Sequence, residues 1–537
     1  MANDTPVSTP GMVRLVLHQS FGAEEEATDA STFVLAPTPS SDPNEPLNWS
    51  TWRKCLNYGL TIAVTVAAFT NLSIQTVFWQ QMTVDLGVTI TQLSRAQSAQ
   101  LAGLAMGCIF FIPFTIKYGR RSTYIAPTAA LAGVAWWTSR MSSNAELILT
   151  SVITGLSGAI NETAVQMTIA DLFFVHQRGS ANAIYFTAVM VGSFLTPMAA
   201  GSQAADQGWR WSYYALSISL TVLFVMFVLL FEETKFIPVS VGQADTVITT
   251  VVSSSEPAAE VDMKDDLEKE DADAATIAIQ IETTIPLNTW RQRLRLSTPT
   301  SESLPRLFIM PLYVITLPHV LFTALQFASG VCWLVLYMSV VSIVFAQPPY
   351  SFTTAGIGYM TLGPFVGNIF GSIYGGPMSD WAIVRLARRN GGIFEPEMRL
   401  YSLVVPTFLM AGGIIMFGVT ADRGMHWIYP SIGGALFAFG LGANGDITFT
   451  FVIDTYRELT AEAFISIAFF RNAVSVAVPF ALVPWMSSMG LTNMYILSGC
   501  IAFGIGSLFV PMIIWGKKIR VALAPRYWRL VEKRSKI

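Results

Sequence analysis

Over long stretches the chain carries no formal charge at all. No Asp, Glu, Lys or Arg occurs between Arg306 and Asp380, between Arg471 and Lys517, or between Lys54 and Asp85. About 20 consecutive apolar residues cross the hydrocarbon core of a bilayer, so the first two gaps each hold two crossings and an uncharged turn. Soluble folds are excluded, because a surface helix needs a polar face. Charged residues make up 12% of the 537-residue chain, against about 25% in soluble domains. Other absences narrow the class further. Cys55, Cys108, Cys332 and Cys500 lie in or beside apolar runs with no CxxC pair, which argues against a disulfide framework and a zinc site. His18, His176, His319 and His426 are scattered, so no metal cluster is expected. No G-x-x-x-x-G-K-[ST] loop and no G-x-S-x-G elbow occurs, so neither ATP drive nor ester hydrolysis is indicated. Met1 to Ser50 has no long apolar run, so the first span is expected to serve as its own signal.

What is present is a series of apolar runs, with mean hydropathy +0.50. They predict an all-α membrane protein of twelve spans, near 55–79, 96–116, 122–140, 146–170, 180–202, 210–232, 312–340, 355–379, 400–421, 428–453, 463–486 and 491–516. The basic residues fall on alternate loops. One side collects Arg53, Lys54, Lys117, Arg120, Arg121, Arg388, Arg389 and the basic C-terminal tail; the other has Arg95, Arg140, Arg210 and Arg423. Positive loops stay in the cytosol, so both termini are expected there, in the plasma membrane or alternatively the vacuolar membrane. The spans divide into two six-helix bundles, 55–232 and 307–516. Around them lie an N-terminal tail (1–54), an acidic linker (233–306) containing SSSEPAAEVDMKDDLEKEDADAA, and a C-terminal tail (517–537). The tail before the first span and the linker are poor core formers, expected to be mostly disordered, with Trp290 to Leu296 as a surface helix. Lipid and a small organic solute are the expected partners, nucleic acid is not, and a monomer is expected to suffice.

The two halves echo each other. PFTIKYGRR follows the second span and GGPMSDWAIVRLARR the eighth, each a helix end, a turn and a basic cluster. With these motifs the chain resembles the major facilitator superfamily. The second loop matches its inter-span signature at Gly376, Ser379 and Asp380; the first matches at Lys117, Gly119, Arg120 and Arg121, with Ile116 where an Asp is usual. SSDPNEPLNWSTWRK, NETAVQMTIADLFFVHQRG, GWRWSYY, RRNGGIFEPEMRL and FVIDTYRE are similar to the fungal drug:proton antiporter branch, from about Ser40 to Arg526. Two positions depart from that branch: Ser151 stands where the fourth helix has an Arg, and Thr196 replaces a glycine of the fifth-helix pattern. The resemblance implies two bundles around a central cavity lined by helices one, four, seven and ten. It also implies a proton gradient as the driving force, with no cofactor and no catalytic residue. Uptake of a nutrient or polyamine, and a non-transporting sensor, are the rival readings.

Ionisable groups within spans cost about 2.5–3.5 kcal/mol on insertion scales and mark functional sites by default. Glu162 lies on one helix face with Gly155 and Gly158 and is the leading candidate for proton or cation binding, with Asn161 and Gln166 beside it. Asp446 and Arg471 lie about ten residues in from the cytosolic ends of adjacent spans, and an ion pair between them is expected. Asn71 and Gln75, and the stripe Gln326, Gly330, Trp333, Tyr337, are candidate cavity walls. Gly363, Gly367, Gly371 and Gly375 predict a close-packed seam. Gly192, Pro197 and Gly201 predict a bend. Lys117, Gly119, Arg120 and Arg121 in the first loop, and Gly376, Asp380, Arg388 and Arg389 in the second, are expected to latch the bundles together.

A linker that buries little surface is dispensable for packing. Deleting 251–274 should leave membrane insertion and transport at the level of the intact chain. Lost transport at normal surface expression would give the linker a role in the mechanism.

Overall fold

The computed structural model describes residue 10 and residues 13–14, 42–236, 287–299, 303–390 and 393–535. The acidic part of the linker and most of the first 41 residues lie outside that set. Among the described residues, twelve helical passes run through the protein. The first bundle holds α1 (Thr51–Val77), α2 (Ile90–Tyr118), α3 (Arg120–Arg140), α4 (Asn144–Leu172), α5 (Ala181–Gln207) and α6 (Trp209–Leu230). The second holds α7 (Pro318–Val344), α8 (Leu362–Ile373, continued by Ser379–Arg389), α9 (Val404–Asp422) and α10 (Ile428–Thr455). It is completed by α11, which starts as Thr460–Ser475, and α12, residues 491–506. Gly490, at φ 75°, separates the last two in a conformation that side-chain-bearing residues rarely adopt. Apolar side chains such as Trp211, Ile218, Val222, Val225 and Leu229 of α6 are exposed on the outer wall, where lipid replaces water.

Local chemistry explains many helix starts. The Thr89 hydroxyl accepts from the Gln92 N–H while the Gln92 amide accepts from the Thr89 N–H, a reciprocal cap for α2. The Ser143 hydroxyl caps α4 at the Glu146 N–H. The α8 glycines pack directly on α10. A Cβ at Gly363 would lie 2.7 Å from the Ser431 carbonyl and one at Gly375 2.9 Å from that of Ala443, while Gly367 and Gly371 meet the Ala435 and Phe439 carbonyls more tightly still. Two four-residue ladders therefore run in register, held by van der Waals contact in a medium with no hydrophobic force between helices.

Several boundaries differ from the sequence reading. The run assigned to the seventh span is two helices, Leu304–Val314 and α7, divided ahead of Pro318, which has no N–H to continue the first. The chain beyond residue 516 is not a free tail: the helix Phe509–Ser535 runs on beneath the second bundle and buries Tyr527 and Leu530. The expected surface helix is a single turn, Trp290–Arg293. Near the N-terminus, the Asp42 carboxylate accepts from the Asn44 backbone at 2.8 Å and buried Trp49 donates to the Asn44 carbonyl, so the last residues before α1 are folded. Val13–Arg14 pairs antiparallel with Ile393–Phe394.

The bundles meet most tightly on the side away from the termini. The Ser342 hydroxyl donates to the Thr76 carbonyl at 2.5 Å, Ser339 to Gln97 at 2.8 Å, and Thr361 to the Phe194 carbonyl at 2.7 Å. Ser94 donates to the Pro479 carbonyl. Gly371→Val would force the α8–α10 ladder apart at a cost of about 1–3 kcal/mol. Gly412→Ala, where a Cβ meets nothing within 4 Å, should be neutral. Thermal melts of the purified variants decide it: equal midpoints would remove the seam from the fold.

Candidate functional site

At mid-depth one cluster joins the two bundles. Glu162 lies on α4 just beyond a break at Ala159, and Arg471 on α11. Each is about ten residues from the end of its helix on the terminus side, hence about 15 Å deep at 1.5 Å per residue. The Arg471 guanidinium pairs with Glu162 Oε1. Asn472 Nδ2 donates to Glu162 Oε2 at 2.8 Å, and the Cys108 thiol of α2 approaches the same oxygen at 3.6 Å. Arg471 Nε also donates to Asn472 Oδ1 at 3.0 Å, so the base is locked beside its neighbour. The pair is largely buried, with side chains 7% and 12% exposed. Gly155 lets α4 sit against the α2 backbone at Gln100, and Gly158 packs on Leu72 of α1, which places Glu162 at the bundle boundary.

The sequence reading paired Arg471 with Asp446. The structure does not. Asp446 faces α8: a Cβ at Gly375 would be 3.0 Å from its own, and Ser372 hydrogen-bonds its carboxyl. Both acids share the depth of Arg471, but the α8–α10 seam turns Asp446 into its own bundle. Arg471 points instead across the boundary. The Phe327 ring lies 5.0 Å from the guanidinium, and Phe449 meets Phe327 at 4.5 Å, Phe464 at 5.1 Å and Phe186 of the first bundle at 6.3 Å. These rings and Cys108 were missed. Phe327 follows Gln326 directly, so the helical stripe was chosen about 100° away from the face that meets the boundary.

The expected cavity walls are corrected accordingly. The Gln326 amide donates to the Ile505 carbonyl at 2.8 Å and accepts from Asn444 at 3.2 Å, all within the second bundle. Trp333 donates to Ser329 on its own helix, and Tyr337 donates to the Met360 carbonyl at 3.2 Å among Phe417 and Phe437. Asn71 and Gln75 line a polar hole of about 10 Å³ inside the first bundle, with Gln100, Thr150, Ser151 and Tyr213. It has room for about one water. Asn161 is fully buried; the Tyr185 hydroxyl donates to its backbone carbonyl at 3.0 Å. Gln166 is half-buried one turn beyond Glu162.

The α5 bend is a π turn, Val191–Leu195, immediately before Pro197, whose missing N–H leaves a gap in the helical ladder. A matching π turn, Tyr374–Met378, contains Pro377 in α8. The α5 turn reaches the second bundle where the Phe194 carbonyl accepts from Thr361, and a Cβ at Gly201 would sit 2.8 Å from the Thr354 carbonyl just ahead of α8. Within the first bundle, a Cβ at Gly192 would sit 2.8 Å from the Val66 carbonyl of α1.

Among the described residues, the ion pairs of the loop clusters lie within bundles. In the first, Arg120 bonds Asp171 at the end of α4 at 3.0 Å. In the second, Arg399 bonds Asp454 at the end of α10 at 2.5 Å and Asp380 at 2.7 Å. The half lacking the loop Asp, at Ile116, is completed from outside the motif. Glu233 accepts from the Arg120 and Arg121 backbone at 2.8 and 3.2 Å, capping α3, and a Cβ at Gly119 (φ 111°) would strike it. Burial pushes the Glu233 carboxyl up, opposed by the backbone donors of Lys235, Arg120 and Arg121. Arg121 is buried on the Val228 and Leu294 carbonyls. Lys117 lies over Tyr118, while Gly376 is half-buried and Arg388 and Arg389 are exposed.

Comparison with known proteins fits this architecture. A sequence profile described as Major Facilitator Superfamily matches residues 60–479. The MFS-type transporter C1271.10c of Schizosaccharomyces pombe is 29% identical, covering 98% of this chain and 95% of its own. Protein HOL1 of Saccharomyces cerevisiae is 27% identical over 94% and 93%. The multidrug transporter TPO1_2 of Candida glabrata is 25% identical over 89% and 77%.

Removing one member of a buried pair leaves the other unpaired at a cost of about 3–5 kcal/mol. Arg471→Ala should therefore lower the melting temperature of the purified protein strongly, and adding Glu162→Gln should restore most of it. Adding Asp446→Asn instead should restore nothing. Rescue by the Asp446 change would return the partnership to α10.

Proposed function

Because the chain belongs to the Major Facilitator Superfamily and is a multi-pass membrane transporter, we propose that it exports a small organic molecule from the cytosol in exchange for protons. The reading is supported above all by a single observation: the pair between Glu162 and Arg471 joins the two bundles in the membrane's middle. Alternating access requires bundles that part on one side and then the other about a central site. An ion pair across that boundary depends on its charge. A proton taken by the Glu162 carboxylate removes the attraction and frees Arg471; its release restores both. The protein then couples one proton's movement to the bundle motion without a cofactor.

The substrate reading follows from the same surroundings. Phe327 lies against Arg471, and Phe449 and Phe186 continue from it as a row of aromatic faces suited to an organic cation or amphipathic solute. A relative named as a multidrug transporter agrees with that class. Basic loops on the terminus side support a cytosolic position for both termini, and with that orientation the tighter seal is the outer one. The plasma membrane is the expected location for export.

Glu162→Gln preserves shape and mimics the protonated acid. In vesicles with an imposed pH difference, the variant should insert normally, bind a lipophilic dye cation, and fail to accumulate it. Continued accumulation against the dye gradient under a pH difference alone would move coupling elsewhere, with Asp446 next to test.

A further inference from the structure

The helix Phe509–Ser535 and the shorter Leu304–Val314 enclose a groove at the terminus side of the second bundle. Its volume is about 330 Å³, and its lining is Tyr313, Arg526, Arg529, Leu530 and Lys533. The three cations recur at spacings of three and four residues, on one helix face. None of the three makes a salt bridge among the described residues. Arg526 donates to the Thr316 hydroxyl at 2.6 Å, Arg529 to the Pro525 carbonyl at 3.2 Å, and the Lys533 ammonium stands 5.7 Å from the Tyr313 ring centre. The nearby acids are otherwise placed: Glu458 accepts from the Tyr527 hydroxyl, and Glu532 has interactions of its own.

The groove is a rigid one. Tyr527 and Leu530 are sunk in a core with Met310, Val314 and Leu317, which fixes both walls. On the outer rim Ile309, Leu312 and Tyr313 are exposed by 46%, 54% and 49%. Exposed apolar side chains beside clustered guanidinium groups mark the level where acyl chains meet headgroups. A basic pocket at that level, on the side rich in anionic lipid, suits a phosphate-bearing headgroup.

We infer that the groove between these two helices binds the headgroup of an anionic phospholipid. Arg526 and Arg529 supply forked donors to the phosphate oxygens, and Lys533 and Tyr313 close the outer wall. The acyl chains leave over Ile309 and Leu312 into the bilayer. The lipid thereby ties the C-terminal helix to the membrane surface and to the entry of α7.

The test uses the full chain in neutral detergent, titrated with a fluorescent short-chain phosphatidylinositol 4-phosphate and read by anisotropy. Each basic residue near an anionic surface contributes about 1 kcal/mol, so R526Q/R529Q/K533Q should bind at least roughly tenfold more weakly. R529E alone, at a side chain with no partner beyond its own helix among the described residues, should weaken binding while leaving the melting temperature unchanged. R385Q/R388Q/K518Q removes as many charges outside the groove and should bind like the unaltered protein. The phosphatidylcholine of equal chain length should bind weakly, and inorganic phosphate should not displace the probe at matched concentration. Binding unchanged in the groove variant, or weakened equally in the control variant, would overturn the site. Displacement by inorganic phosphate would show a soluble phosphate ester to be the ligand and overturn the lipid assignment.

Discussion

A carboxylate and a guanidinium confined together in the middle of a membrane protein can hold only while each neutralises the other. Glu162 and Arg471 are in that position, and they belong to different bundles. Much of the fold can be traced to making the meeting possible. Gly155 and Gly158 bring α4 close to α2 and α1, the break at Ala159 precedes Glu162, and Asn472 and Cys108 fill the remaining coordination of the acid. Burial of the pair, with Phe327 against the guanidinium, strengthens the attraction and also the consequence of losing it. One protonation of Glu162 would therefore change the ion pair that crosses the boundary among the described residues.

Around that contact each bundle is braced separately. In the second bundle the glycine ladder of α8 and α10 and the bridge from Arg399 to Asp380 and Asp454 hold the helices as one body. In the first, Arg120, Asp171 and Glu233 do the equivalent work with a carboxylate borrowed from beyond α6. Bodies stiff in themselves and joined by reversible contacts are what a rocking mechanism requires. The π turn of α5 lies where the bodies touch, at the Phe194 carbonyl that accepts from Thr361, while that of α8 packs on α10 within its own bundle.

Membrane crossing by many helices and the inward position of Glu162 were legible in the sequence, because charge gaps and an acid on a glycine-lined face are composition signals. The glycine seam was legible for the same reason: a four-residue repeat specifies one face. Partner choice was not. Asp446 and Arg471 share depth and sequence proximity, but depth leaves rotation about the helix axis free, and the α8 seam fixes that rotation away from Arg471. The same freedom misplaced the stripe Gln326, Trp333, Tyr337, whose polar atoms satisfy carbonyls and hydroxyls of their own bundle. Asn71 and Gln75 were polar for an internal hole and not for a central wall. The carboxylate replacing the Asp absent at Ile116 could not be found by local motif, since Glu233 lies more than a hundred residues away in the chain.

The central claim is that the charge of Glu162 governs how the bundles sit. Spin labels carried on unnatural amino acids at exposed Gln207 and His426, on the side away from the termini, leave Cys108 in place. Pulsed dipolar spectroscopy across a pH series then reads the separation of the two bundles there. The expected result is a longer distance that grows in population as the pH falls in the unaltered protein, and that is present at every pH in the Glu162→Gln protein. A distance that follows pH equally in both proteins would contradict it.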